Sequence, residues 1–163
     1  MRSQDEAKFH AYVSAHLNVL RRTAYLMCGD WHEADDLVQE SLCKLYLSWT
    51  KIRTEIDLHP YVRQILVRSF IDVRRSARWR REDRSGVVPE RGYDPTPDGH
   101  SDVVRAALDQ LAPSMRAMLV LRYFEDLSIE ETAAVMKCSI GNVKSQTARA
   151  LSRIRVLMVE EGW

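Results

Sequence analysis

Apolar residues recur along this chain at three- and four-residue intervals, the spacing of one face of a helix. Phe9, Tyr12, Val13, His16, Leu17 and Leu20 predict a first helix that continues to about Met27. Gly29-Asp30 ends it, because glycine suits the left-handed position after a helix. A second helix opens on Asp30 as N-cap with Glu33 at capping-box spacing, and its stripe is Leu37, Val38, Ser41, Leu42, Leu45, Tyr46 and Trp49. Thr50 to His59 lacks periodicity and reads as a loop. Pro60 is placed at the first position of a third helix, where a missing N–H costs nothing. That helix carries Val62, Ile65, Leu66, Ser69, Phe70 and Val73 on one side and Arg63, Arg68, Arg74, Arg75 and Arg78 on the other, with Trp79, Arg80 and Arg81 beyond.

The pattern then lapses. Arg84 to Ser101 holds three of the five prolines and three of the six glycines, and reads as a flexible linker. Helical spacing resumes with Val103, Val104, Ala107, Leu108 and Leu111, and Pro113 starts a further helix reaching Phe124. Ser128 and Glu131 form a second capping box before a short helix with Ile129, Thr132, Ala133 and Met136. After Lys137 to Ile140, a last helix runs from about Gly141 to Val159 on the stripe Val143, Thr147, Leu151, Ile154 and Met158. The predicted fold is all-α: residues 1–83 form one small helical domain, 84–101 a flexible linker and 102–163 a second domain.

Composition narrows the class. The 163 residues are 45% hydrophobic and 29% charged, ordinary for a soluble chain. No apolar run approaches a membrane span, and the polar N-terminus does not read as a signal peptide, so a cytoplasmic location is expected. Cys28, Cys43 and Cys138 are too few and too scattered for a disulfide framework and read as free thiols. The net charge of +1 at first argues against nucleic acid, but charge is segregated. Met1–Pro60 holds 7 basic and 9 acidic residues, whereas Tyr61–Arg84 holds 8 basic and 3 acidic.

Ser128 to Met158 has the plan of a helix-turn-helix, with small Ala133 and Ala134 where a partner helix approaches. Its second helix begins with Asn142, Lys144, Ser145 and Gln146 and continues to Arg149, Arg153 and Arg155, side chains able to reach base edges and phosphates in a major groove. A plain helical hairpin with a solvated polar face fits the same pattern. The third helix combines arginines with Tyr61, Phe70 and Trp79, a mixture suited to unpaired bases; Phe70 lies on the apolar stripe and reads as core. On the second helix, Glu33, Asp35, Asp36, Gln39 and Glu40 make an acidic face. No histidine completes a metal sphere there, so no metal or cofactor is expected, and the face reads as a dock for a basic partner. No phosphate loop or catalytic motif occurs, and neither an enzymatic reaction nor a small-molecule substrate is expected.

Gly29-Asp30-Trp31-His32-Glu33-Ala34-Asp35-Asp36-Leu37-Val38-Gln39-Glu40 resembles region 2 of bacterial sigma factors, and Ser128 to Ser145 resembles their region 4. The order, the separation and the short chain resemble the extracytoplasmic-function group, in particular its SigE-like actinobacterial branch. The resemblance implies a promoter-specific initiation factor whose partners are core RNA polymerase, promoter DNA and an anti-sigma factor. It implies that Asp35, Asp36, Leu37, Gln39 and Glu40 hold the polymerase. It places −10 recognition on Ile52, Arg53, Tyr61, Arg63, Arg68, Arg74 and Arg75, and −35 recognition on Asn142, Lys144, Ser145, Gln146 and Arg149. Three positions depart from the common family pattern: Arg68 replaces an asparagine near a flipped −10 base, Asn142 a threonine and Lys137 a glycine. Two rival functions remain at this stage. One is a regulator that binds duplex DNA alone; the other is a helical enzyme using Asp35, Asp36 and Glu40 with a metal.

Overall fold

In the computed structural model, residues 3–52, 57–83, 99–160 and 162 are described. They form seven α-helices, and no strand occurs among them. The first lobe holds α1 (Ser3–Cys28), α2 (Trp31–Ser48), a single 3₁₀ turn (Trp49–Lys51) and α3 (Leu58–Asp83). The second holds α4 (Gly99–Asp109), α5 (Pro113–Tyr123), α6 (Ile129–Met136) and α7 (Ile140–Glu160). Both lobes are therefore helical, as the spacing predicts. Residues 84–98 of the expected linker lie outside the described residues, and α4 begins at Gly99, ahead of the boundary read at 101.

Local chemistry sets most boundaries. Gly29 takes φ +80 after α1. Asp30 then caps α2, its carboxylate accepting from the His32 and Glu33 N–H groups at 2.7 and 3.1 Å. Glu33 does not complete that box; its carboxylate reaches Arg74 instead, at 2.8 Å. The Ser128–Glu131 box is complete in both directions. Pro60 sits at the third position of α3 rather than the first, still inside the turn whose N–H groups have no partner in the helix. Trp49, read as the last residue of the α2 stripe, lies in the 3₁₀ turn and is buried.

The first lobe closes on Leu20, Met27, Leu45, Trp49, Val62, Leu66 and Phe70, all nearly solvent-free. The second closes on Leu108, Leu121, Val143 and Ala150, with Leu119 and Val120 of α5. The lobes also pack on each other, α4 and α5 against α1, and α5 and α6 against α3. Arg116 fastens this contact. Buried on the apolar helix α5, its guanidinium donates to the carbonyls of Met27, Leu108 and Leu111. The Met27 and Leu108 carbonyls lie in the last turns of α1 and α4 and the Leu111 carbonyl in the turn after α4, a carbonyl-rich setting that favours a cation. Arg105 lies over Gly29, where a β-carbon would stand 1.9 Å from its terminal nitrogen, and stacks on Tyr25. Glycine suits position 29 because its backbone is left-handed, and the Arg105 guanidinium from the other lobe would have to shift to admit a β-carbon.

Candidate nucleic-acid and protein interfaces

The helix-turn-helix is formed by α6 and α7. Lys137 makes the turn in the left-handed conformation, φ 51 and ψ 49, which costs a side chain other than glycine about 1 kcal/mol. The Ser139 hydroxyl accepts from the Asn142 N–H at 3.0 Å, fixing the start of α7 at Ile140, one residue before the predicted Gly141. Val143 and Ala150 are buried against the rest of the lobe. That rotation turns Asn142, Lys144, Ser145 and Arg149 outward to solvent, with Gln146 half-buried beside them. A long helix whose first turns expose short polar and cationic side chains is the form that enters a major groove.

The acidic face of α2 is partly self-paired. Asp35 accepts from Arg21 Nε at 2.6 Å, and Glu40 meets Lys44 at 2.9 Å. Asp36 and Gln39 are exposed, and no hydrogen bond or ion pair joins Asp36 to another described residue. Leu37 lies differently from the position expected of a docking residue. It is 5% exposed and packs in the core, because its place on the stripe turns it inward.

The residues assigned to −10 DNA separate into three groups. Tyr61 and Arg75 are exposed and Ile52 is half-buried, while Arg53 lies outside the described residues. Arg68 lines a cleft of about 330 Å³ with Lys44, Tyr61, Gln64, Ile65 and Ser69. Its Nε and Nη2 are buried without a hydrogen-bond partner among the described residues, while Lys44 donates to Ser69 at 2.9 Å. The third group is already engaged. Arg74 donates to the Cys28 carbonyl at 3.0 Å and to Glu33, and lies over the Phe70 ring. Arg63 is 9% exposed and donates to Glu125 Oε2 at 3.1 Å, across the lobe boundary. In this arrangement Arg63 is buried against the second lobe rather than on the open basic face expected of it. Phe70 is core, as its stripe position predicts.

Glu125, which sequence reasoning passed over, is the residue on which that boundary turns. It also accepts from the Thr23 hydroxyl at 2.6 Å and stands 3.6 Å from His59 Nε2. Burial alone would raise its carboxyl; the His59 imidazole, the Thr23 hydroxyl and the Arg63 charge outweigh burial and hold it at about 2. Tyr12 stands 3.2 Å from His59 Nδ1, and burial, reinforced by the Asp57 charge, keeps its phenol far above the usual range. His59 thus lies between Tyr12 on its Nδ1 side and Glu125 on its Nε2 side. Of the thiols, all free, Cys28 is buried and pushed up to about 11 by that burial, which leaves it unreactive near neutrality.

Fold and surface define an all-helical transcription factor with a helix-turn-helix in its second lobe. Residues 12–80 match the sigma-70 region 2 family, and residues 101–154 match sigma-70, region 4. The RNA polymerase sigma-E factor of Streptomyces coelicolor is 34% identical over 154 residues, 93% of this chain and 86% of that one. The RNA polymerase sigma factor SigV of Bacillus subtilis is 29% identical over 152 residues, 91% of this chain and 90% of that one. Among solved structures, the sigma factor RpoE in complex with the anti-sigma factor NepR, from Bartonella quintana, superposes with a TM-score of 0.78 at 26% identity, over 93% of this chain and 96% of that one. Neither lobe alone makes up that share, so the superposition spans both. CnrH, solved with the cytosolic domain of CnrY, shares the fold with a TM-score of 0.69 at 19% identity, over 96% of this chain and 91% of that one. The chain belongs to the extracytoplasmic-function group of sigma-70 family RNA polymerase sigma factors. It is an initiation factor that directs promoter-specific transcription.

Proposed function

We propose that this sigma factor docks core RNA polymerase through Asp35, Asp36, Gln39 and Glu40, and reads promoter DNA with two separate surfaces. The −35 element meets Asn142, Lys144, Ser145, Gln146 and Arg149; the −10 element meets Ile52, Arg53, Tyr61, Arg68 and Arg75. Arg63 joins the second set only when the lobes part, and Arg74 only when it leaves the Cys28 carbonyl and Glu33 within its own lobe. The observation that carries this reading is the orientation of α7, whose buried Val143 and Ala150 leave the candidate base-contacting residues facing solvent. The cleft beside Tyr61 and Arg68 supports the −10 assignment, since unpartnered guanidinium nitrogens next to an exposed aromatic suit an unstacked base.

Residues 1–83 and 102–163 act as the two domains and 84–101 as the connector. The protein acts in the cytoplasm without catalysing a reaction or carrying a cofactor, and an anti-sigma factor holds it inactive, as the relatives solved with such partners suggest. No helix among the described residues is long and apolar enough to cross a membrane. Each lobe offers few cationic contacts, so tight promoter binding requires the polymerase to hold both at fixed spacing. Pull-down with purified core polymerase tests the docking face: Asp36→Arg should abolish capture with the fold intact by circular dichroism, and unchanged capture would contradict the assignment.

A further inference from the structure

Two donors and an imidazole of the first lobe converge on one anion that the second lobe supplies. Thr23 donates to Glu125 Oε1, Arg63 donates to Oε2, and His59 Nε2 faces Oε2. All are largely shielded from water, the Arg63 and Glu125 side chains being 11% and 7% exposed. The donors are held in place before the anion arrives. His59 is stacked on His16 at 4.9 Å and contacts Tyr12, while Thr23 and Arg63 sit on α1 and α3, which pack against each other. The anion is equally well delivered. Glu125 and Asp126 occupy the turn between α5 and α6, with Asp126 left-handed at φ 51. The N–H groups of Glu125 and Leu127 return to Val120 and Leu121, Arg122 donates to the Leu127 carbonyl, and Leu127 is buried.

A cation, a hydroxyl and an imidazole aimed at the two oxygens of one carboxylate make a fork that also matches the two unesterified oxygens of a phosphodiester. On the reading that this chain engages promoter DNA, we propose that Thr23, His59 and Arg63 form a phosphate-binding site for the nucleic-acid backbone, occupied in the free protein by Glu125 as an internal mimic. Glu125 and a backbone phosphate exclude one another. Separation of the lobes uncovers the site together with the rest of α3, and nucleic acid bound there keeps the lobes apart. The isolated chain is then a weak binder because its binding-competent fraction is small.

The test is fluorescence anisotropy of the isolated full-length chain with a short, fluorescein-labelled single-stranded oligonucleotide of mixed sequence. Glu125→Gln should bind about tenfold tighter than the unsubstituted chain, and inorganic phosphate should compete for the added affinity. Arg63→Ala in the Glu125→Gln background should remove the gain, and Thr23→Val in that background should reduce it; the second double variant decides if the first fails to fold. Asp126→Asn, which removes a neighbouring charge outside the fork, should leave affinity unchanged. Four results would overturn the proposal: no gain in Glu125→Gln, a gain that survives both double variants, an equal gain in Asp126→Asn, or phosphate that fails to compete. The assay contains no polymerase. A chain that failed to capture core enzyme would contradict the polymerase reading without moving this result.

Discussion

The arginines of α3 and the polar residues of α7 are both candidates for DNA, yet the fold treats them oppositely. Arg63 and Arg74 are spent on internal acceptors, a carboxylate of the other lobe and the carbonyl end of α1. Asn142, Lys144, Ser145 and Arg149 face water. The second lobe therefore presents its duplex-reading surface without rearrangement, whereas part of the first lobe's basic surface becomes available only when the lobes separate. That difference suits the two tasks. Reading an intact groove needs a preformed rigid helix, whereas holding a melted strand is useful only after polymerase has placed the promoter.

The largest effect should come from Arg63→Ala. It leaves a buried carboxylate without its permanent cation and should cost about 3 kcal/mol in urea unfolding; a loss below about 0.5 kcal/mol would mean that the cross-lobe pair contributes nothing. Next is acid. The Glu125 carboxyl lies at about 2 in the folded chain against an ordinary 4.5, so its contribution is complete above about 4.5 and vanishes as pH falls toward 2. The stability gap between the unsubstituted chain and Glu125→Gln, on the order of 2 kcal/mol at neutral pH, should close across that window. A gap independent of pH would mean that folding does not lower the Glu125 carboxyl below its ordinary value. Gly29→Ala should cost about 1.5 kcal/mol by thermal melting, because the new methyl meets Arg105 and the backbone is left-handed. A neutral result would contradict the left-handed backbone at position 29. Smallest is Arg149→Ala, exposed and expected to shift stability by less than about 0.5 kcal/mol. It should nonetheless reduce transcription from promoters with a −35 element. Equal loss on a template lacking that element would remove Arg149 from the contact.

Most of the helices and both ends of the helix-turn-helix were legible because they depend on neighbours in sequence. Ser128 and Glu131 cap α6 as their spacing predicts, and Gly29 turns left-handed where α1 ends. Lys137 departs from the glycine common at that turn, yet it adopts the same left-handed backbone. The helical stripe also placed Leu37 inside, but the resemblance drew it onto the docking face; its 5% exposure follows the stripe. The role of Arg63 was not legible. It sits on the polar side of α3, and its partner is 62 residues away on the far side of the linker. Glu125 gave no signal for the same reason, as it looks like one more polar residue in a turn. Arg116 did carry one: a single arginine inside the apolar run Met115 to Leu121 must find acceptors, and it finds three carbonyls, at the ends of α1 and α4 and in the turn after α4.

The central claim, that these lobes together direct a polymerase to specific promoters, is tested most directly by transcription in vitro. Purified core polymerase is supplied with a genomic fragment library, with and without this chain, and the transcript 5′ ends are mapped. Discrete start sites that depend on the added chain and share paired sequence elements at one spacing are the expected result; transcripts identical with and without it would contradict the account.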